Sequence, residues 1–121
     1  MGTWAEGNFA NDGALDYVGD LIDQLTNTIN ECFEEENADL DEGGESILVP
    51  SVDIIRVLSQ HCGASPPKPA VVKKWQNRYL KIFDEQIDDL EPAGSYKTDR
   101  RQVIAKTFAD LLKHSEEFHK E

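Results

Sequence analysis

An all-α fold, a single-domain bundle of about four helices with an irregular N-terminal arm, is predicted by three features of this sequence. Four separate segments carry apolar residues at steps of three and four, the repeat of one helix face. No segment of useful length alternates apolar and polar residues as a half-buried strand does. Turn formers and prolines stand between the four segments, and no internal repeat is present. The 121 residues make one domain by size, 1–121. A chain of this length buries roughly two-thirds of its unfolded surface, enough for one core without covalent staples.

The elements follow in order. Residues 1–11 hold the turn formers Gly2, Gly7, Asn8 and Asn11 and read as an arm. Trp4 and Phe9 are large apolar residues in a polar stretch and are expected to pin that arm onto the first helix. Asn11 or Asp12 caps a helix running to about Glu35. Its stripe is Leu15, Val18, Ile22, Leu25, Ile29 and Phe33, widened by Tyr17, Leu21 and Cys32. Asp16, Asp20, Asp23 and Asn27 follow the opposite face. Residues 34–46 gather like charges and two glycines, which predicts a mobile acidic loop.

A second helix ends at Cys62, with Gly63 as its stop. Its start is open between a Ser51 cap and a Ser46 cap that places Pro50 near the first turn. Ile54, Ile55, Val57 and Leu58 are expected on its buried side. Residues 63–68 form a stiff, proline-rich linker. Pro69 suits the first position of a third helix that continues to about Leu90. Its stripe is Val72, Trp75, Tyr79, Ile82, Phe83, Ile87 and Leu90. Thr98 or Asp99 caps a fourth helix to about Phe118, with Val103, Ile104, Phe108, Leu111, Leu112 and Phe118 inward.

Charge is divided unevenly. Residues 1–55 contain 14 Asp and Glu and no Lys or Arg, a formal −14; the remainder has 12 basic and 10 acidic residues, a formal +2, giving −12 overall. Phosphate backbones and anionic membranes are both disfavoured as partners, since affinity for them comes largely from Lys and Arg. A basic protein is the complementary partner. The opening residues show no charged-then-apolar signal segment, and the longest apolar run is Ile47-Leu48-Val49. Gly2 lacks a hydroxyl residue at the sixth position of the myristoylation pattern. A cytoplasmic protein with reduced Cys32 and Cys62 is expected, because their spacing matches no zinc motif.

Specific chemistry is sparse. Asn37, Asp39, Asp41 and Glu45 alternate oxygen ligands, but no frame supplies both the glycine and the glutamate of a calcium loop. Weak divalent-cation binding is the third reading on that account. Lys73 to Arg78 is similar to the Trp-Phe-Gln-Asn-Arg core of homeodomain recognition helices but lacks the phenylalanine. That deletion turns the following residues by about 100° relative to Trp75. His61, His114 and His119 are scattered, and no nucleophile elbow, phosphate loop or dinucleotide fingerprint occurs. No catalytic residue, cofactor or metal ligand is assigned, and the chain is read as leaning away from an enzyme.

Met1-Gly2-Thr3-Trp4, Gly7, Phe9-Ala10-Asn11-Asp12, Ala14 and Asp16-Tyr17 resemble the opening of a bacterial family known only as domain of unknown function 4259. The departures are Ala5, Ala10 and Tyr17, where the family tends to have glycine, aspartate and tryptophan. The clear match covers the start of the chain. The resemblance implies a small, mainly helical protein and carries over no activity.

Two functional expectations follow from the residues. The first is a non-enzymatic interaction module, inhibitor-like or immunity-like, that docks a basic protein through Asp16, Asp20, Asp23, Glu31, Glu34 and Glu35. The second is a small ligand binder or enzyme with a pocket between arm and first helix, lined by Trp4, Phe9, Asp12 and Asp16. Nothing in the sequence sets an oligomeric state.

Overall fold

A computed structural model describes residues 5–120. Four helices, α1 (Asp12–Glu34), α2 (Val49–Cys62), α3 (Pro69–Gln86) and α4 (Tyr96–Phe118), make an all-α bundle. A single π-helical turn, Gly44–Leu48, leads into α2, and a 3₁₀ turn, Ile87–Leu90, extends α3.

Helix α1 begins where Asn11 stands in extended conformation and its side-chain Oδ1 accepts from the Ala14 N–H at 2.7 Å. It buries Val18, Ile22, Ile29, Cys32 and Phe33. Tyr17, expected to widen that stripe, faces solvent. Helix α2 ends at Gly63, whose φ of +75° lets its N–H turn back to the Ser59 carbonyl. Helix α3 opens on Pro69 at its first turn, where the missing N–H has no partner to lose.

Two hairpins build the bundle. Helices α1 and α2 pack together, as do α3 and α4, and the hairpins meet chiefly through α2 and α4. Phe9, just ahead of α1, lies edge-on to His61 at the end of α2, so α1 and α2 run in opposite directions. Asp84 of α3 meets Arg101 near the start of α4, and the Pro67 carbonyl ahead of α3 meets Ser115 near the end of α4. Those two helices are therefore antiparallel too. Both thiols are buried and unbridged, at opposite ends of the α1–α2 pair.

The core has Tyr79, Phe83, Phe108, Ile22, Ile29, Leu48, Ile55 and Leu111 fully buried at its centre. Several apolar positions expected inward are not. Ile54 is 47% exposed while its neighbour Ile55 is 0% exposed, and Val57, Val103, Leu90 and Phe118 also face out. Helix α2 packs between α1 and α4 through Val52, Ile55 and Ser59, which leaves its far side bare.

The second helix does not start at either expected cap. Ser51 is buried inside α2, and the Ser46 hydroxyl donates to the Glu42 carbonyl. Pro50 has no N–H for the Ser46 carbonyl, and its ring crowds that position in a regular helix. The wider turn accommodates it, with the Val49 N–H reaching back to Gly44.

Residues 34–46 also differ from expectation, forming a packed corner in place of a mobile acidic loop. Ala38, Leu40, Gly43 and Gly44 are buried. The Asn37 N–H donates to the Cys32 carbonyl, and the Gly43 N–H donates to the Asn37 carbonyl at 2.9 Å. Gln86 of α3 closes the corner by accepting from the Leu40 N–H at 3.0 Å and donating to Asp39 Oδ1 at 2.8 Å. The glycines work by closeness here: a Cβ on Gly44 would collide with the Ala38 carbonyl. The 63–68 linker is tied as well, since Ser115 Oγ donates to the Pro67 carbonyl and the His119 ring contacts the Pro66 carbonyl at 2.9 Å.

Candidate functional site

Helix α1 carries Asp12, Asp16, Asp20, Asp23, Glu31 and Glu34 and no basic residue. At about 100° per residue, Asp16, Asp20, Asp23 and Glu34 share one face. That face lies opposite Val18, Ile22 and Ile29, so burying the apolar stripe turns the carboxylates outward. The six carboxylates of the expected docking face, Asp16, Asp20, Asp23, Glu31, Glu34 and Glu35, are all exposed.

None of these six forms an ion pair within 4.0 Å among the described residues. Several of the chain's cations are engaged elsewhere. Arg56 pairs with Asp53, Lys97 with Asp88, Arg101 with Asp84, and Lys106 with Asp110. Arg78 stays near the far end of α1 without neutralising it. Its Nη2 donates to the Phe33 carbonyl at 3.2 Å, and its guanidinium lies 4.7 Å from the Phe33 ring centroid. Trp75 fastens the same junction, with its indole N–H donating to Asn30 Oδ1 at 2.9 Å. Glu34 shares a hollow with Lys74 and Arg78, yet no salt bridge closes there. The acidic end of α1 runs against the helix dipole, and the Arg78 contact to the last-turn carbonyl offsets that cost.

A groove of about 650 Å³ opens beside the first half of this face. Leu15, Gly19, Ala64 and Phe118 line it, and Asp16, Asp20 and Asp23 stand along it. A second hollow of about 450 Å³ shares Gly19 and Asp23 and continues past Ile22, Pro66 and Val71. Gly19 lies mid-helix, and a Cβ built there meets nothing within 4 Å. The described residues therefore give this glycine no packing reason. An isolated glycine inside a helical repeat was the sequence signal for it.

Of the expected pocket of Trp4, Phe9, Asp12 and Asp16, the structure describes the last three residues. Trp4 lies outside the described residues. Phe9 packs against His61, Asp12 is exposed, and only Asp16 reaches the groove. The calcium-loop residues are also dispersed: Asp39 bonds to Gln86, while Glu45 turns toward α3 and α4. Among the described residues no three His, Cys, Asp or Glu side chains come together to hold a metal ion.

A polar centre that sequence reasoning missed lies at Glu45. Arg100 grips its carboxylate, and the Tyr79 hydroxyl donates to Glu45 Oε2 at 3.1 Å. Burial, reinforced by the neighbouring Glu45 carboxylate, pushes the Tyr79 phenol well above its ordinary 10.0. These three residues are 34 and 55 positions apart along the chain, so no local pattern announces them. Cys32 is likewise held as a thiol: burial comes first, and Glu31 and Glu35 add to it.

Among the described residues no helix is long and apolar enough to cross a membrane. Searches for relatives supply no family: no protein-family model, no curated protein and no solved structure matches the chain.

Proposed function

We infer that the chain is a non-enzymatic interaction protein of the cytoplasm that docks a basic protein through the anionic face of α1. Asp16, Asp20 and Asp23 meet the partner's cations along the first half of the helix, and Glu31, Glu34 and Glu35 extend the field to its end. An inhibitor-like or immunity-like role toward a basic protein is the concrete form of this reading.

One observation supports it above the rest. Asp53 of α2, Asp84 and Glu85 of α3, Asp88 just after it and Asp110 of α4 take the chain's own cations, whereas the six on and after α1 take none among the described residues. An unneutralised face of one sign raises association rates by steering and loses that advantage as salt screens it. The resemblance to domain of unknown function 4259 brings no assigned activity and does not alter the choice.

The test compares the wild type with a variant carrying Asn at 16, 20 and 23 and Gln at 31, 34 and 35. Each is immobilised and washed with lysate of the source organism at low and at high salt. A basic protein held by the wild type at low salt, released at high salt and ignored by the variant supports docking. Equal retention by the two forms, or no retained protein at low salt, overturns it.

A further inference from the structure

We propose that the groove beside α1 is the seat of a peptide segment of a protein partner: one large apolar side chain over Gly19, flanked by Lys or Arg that meet Asp16, Asp20 and Asp23. The proposal rests on the docking reading above and names the chemistry of the segment that docks.

Two separate features of the groove call for those two kinds of residue. Its apolar lining is Leu15, Ala64 and a 44% exposed Phe118, beside Gly63 and Ser65. Phe118 is held in place by His114 and His119, whose rings lie 6.2 and 5.3 Å from its own. Its rim is three aspartates at steps of four and three, hence about one helical turn apart, and none is paired with a cation of this chain among the described residues. A purely apolar occupant would leave the rim unanswered, and a purely cationic one would leave the apolar lining wet.

Gly19 points to the same occupant by its absence of bulk. Glycine is a poor helix former, and nothing among the described residues needs its small size. It stands where the two hollows meet, so a side chain there would divide them. Kept empty, the position leaves a continuous channel in which a partner's side chain reaches the α1 backbone. Lys68 lines the second hollow with Asp23 but forms no ion pair with it, and one lysine against three aspartates leaves the rim formally negative.

The experiment uses two fluorescent Lys/Ala peptides of about four helical turns, one bearing two leucines on one face and a twin with alanine in their place. The two have the same charge, and binding is read by anisotropy at low salt. Wild-type protein is expected to bind the leucine peptide about tenfold tighter than the twin. Gly19→Leu, which changes no charge and has open space for its Cβ, is expected to abolish that preference. Its circular dichroism and thermal midpoint show that it folds, and Gly19→Ala serves as a second, smaller obstruction. Asn at 16, 20 and 23 is expected to weaken both peptides about tenfold, and Gln at 31, 34 and 35, the same change in charge, by less than about threefold. Equal affinity of the wild type for the twins, or an intact preference in Gly19→Leu, overturns the groove. If the groove fails while the aspartate triple still weakens binding, the docking face stands alone. If neither charge triple weakens binding, both readings fall.

Discussion

Arg100 holds Glu45 through two parallel hydrogen bonds, Nε to Oε1 at 3.0 Å and Nη2 to Oε2 at 2.9 Å. This fork joins the start of α4 to the π-helical turn before α2, and the Tyr79 hydroxyl on the same carboxylate adds α3. Both charged side chains keep about a quarter of their surface in water, 24% and 26%. Arg100→Met strands a half-buried carboxylate and is expected to cost about 1–3 kcal/mol. Urea unfolding of the single variants and of Arg100→Met/Glu45→Gln checks it. The double variant is expected to lose clearly less than the two singles summed, because neither partner is left alone.

The two glycines with opposite surroundings give opposite outcomes. Gly44→Ala forces a methyl into the Ala38 carbonyl and is expected to destabilise by about 1–3 kcal/mol. Gly19→Ala adds a methyl to open space in mid-helix and is expected to stabilise by about 0.5–1 kcal/mol. Thermal or urea midpoints measured side by side read both signs.

Neighbouring isoleucines on α2 separate in the same way. Ile55→Lys buries an unpaired ammonium in the core and is expected to abolish folding. Ile54→Lys, with its side chain already facing water, is expected to stay within about 0.5 kcal/mol of wild type. Far-ultraviolet circular dichroism with urea titration distinguishes them.

Stability is expected to fall in alkali. Cys32 and Tyr79 both have pKa values raised by burial, from ordinary values of 9.0 and 10.0. Once the pH passes those ordinary values, the unfolded chain has released protons that the folded chain retains, so the equilibrium shifts toward unfolding. Each such group contributes its stability fully below its unfolded pKa and loses it above. The urea midpoint is expected to be flat from about pH 6 to 8 and to decline from about pH 9 upward, with a shallower decline in Cys32→Ala and Tyr79→Phe. In acid, Asp84 acts with the opposite sign: its hydrogen bonds from Arg101 hold its pKa below 3.8, and that contribution disappears as pH falls through the lowered value. Exposure of the pair keeps it small.

The helices were legible because each segment must bury one face, and that need is written at a spacing of three and four. Asn11, Gly63 and Pro69 were legible for a comparable reason, since a cap, a left-handed stop and a first-turn proline each act within a few residues. The exposure of the α1 carboxylates followed from their placement opposite Val18, Ile22 and Ile29. Ile54 and Val57 misled, because apolar character alone does not say which side of α2 finds a neighbour. Residues 34–46 misled too, because composition reports charge and glycine but not the Gln86 side chain that arrives from 46 residues away to fold them.

By itself, then, the sequence determined a four-helix, all-α chain with an anionic first helix, since periodicity, capping and charge act locally. The tertiary structure alone decided that Arg100 answers Glu45, that the acidic corner packs, and that an open glycine on α1 faces a groove lined by Phe118. Those relations join residues tens of positions apart. They exist only once four helices have chosen which faces to bury against one another.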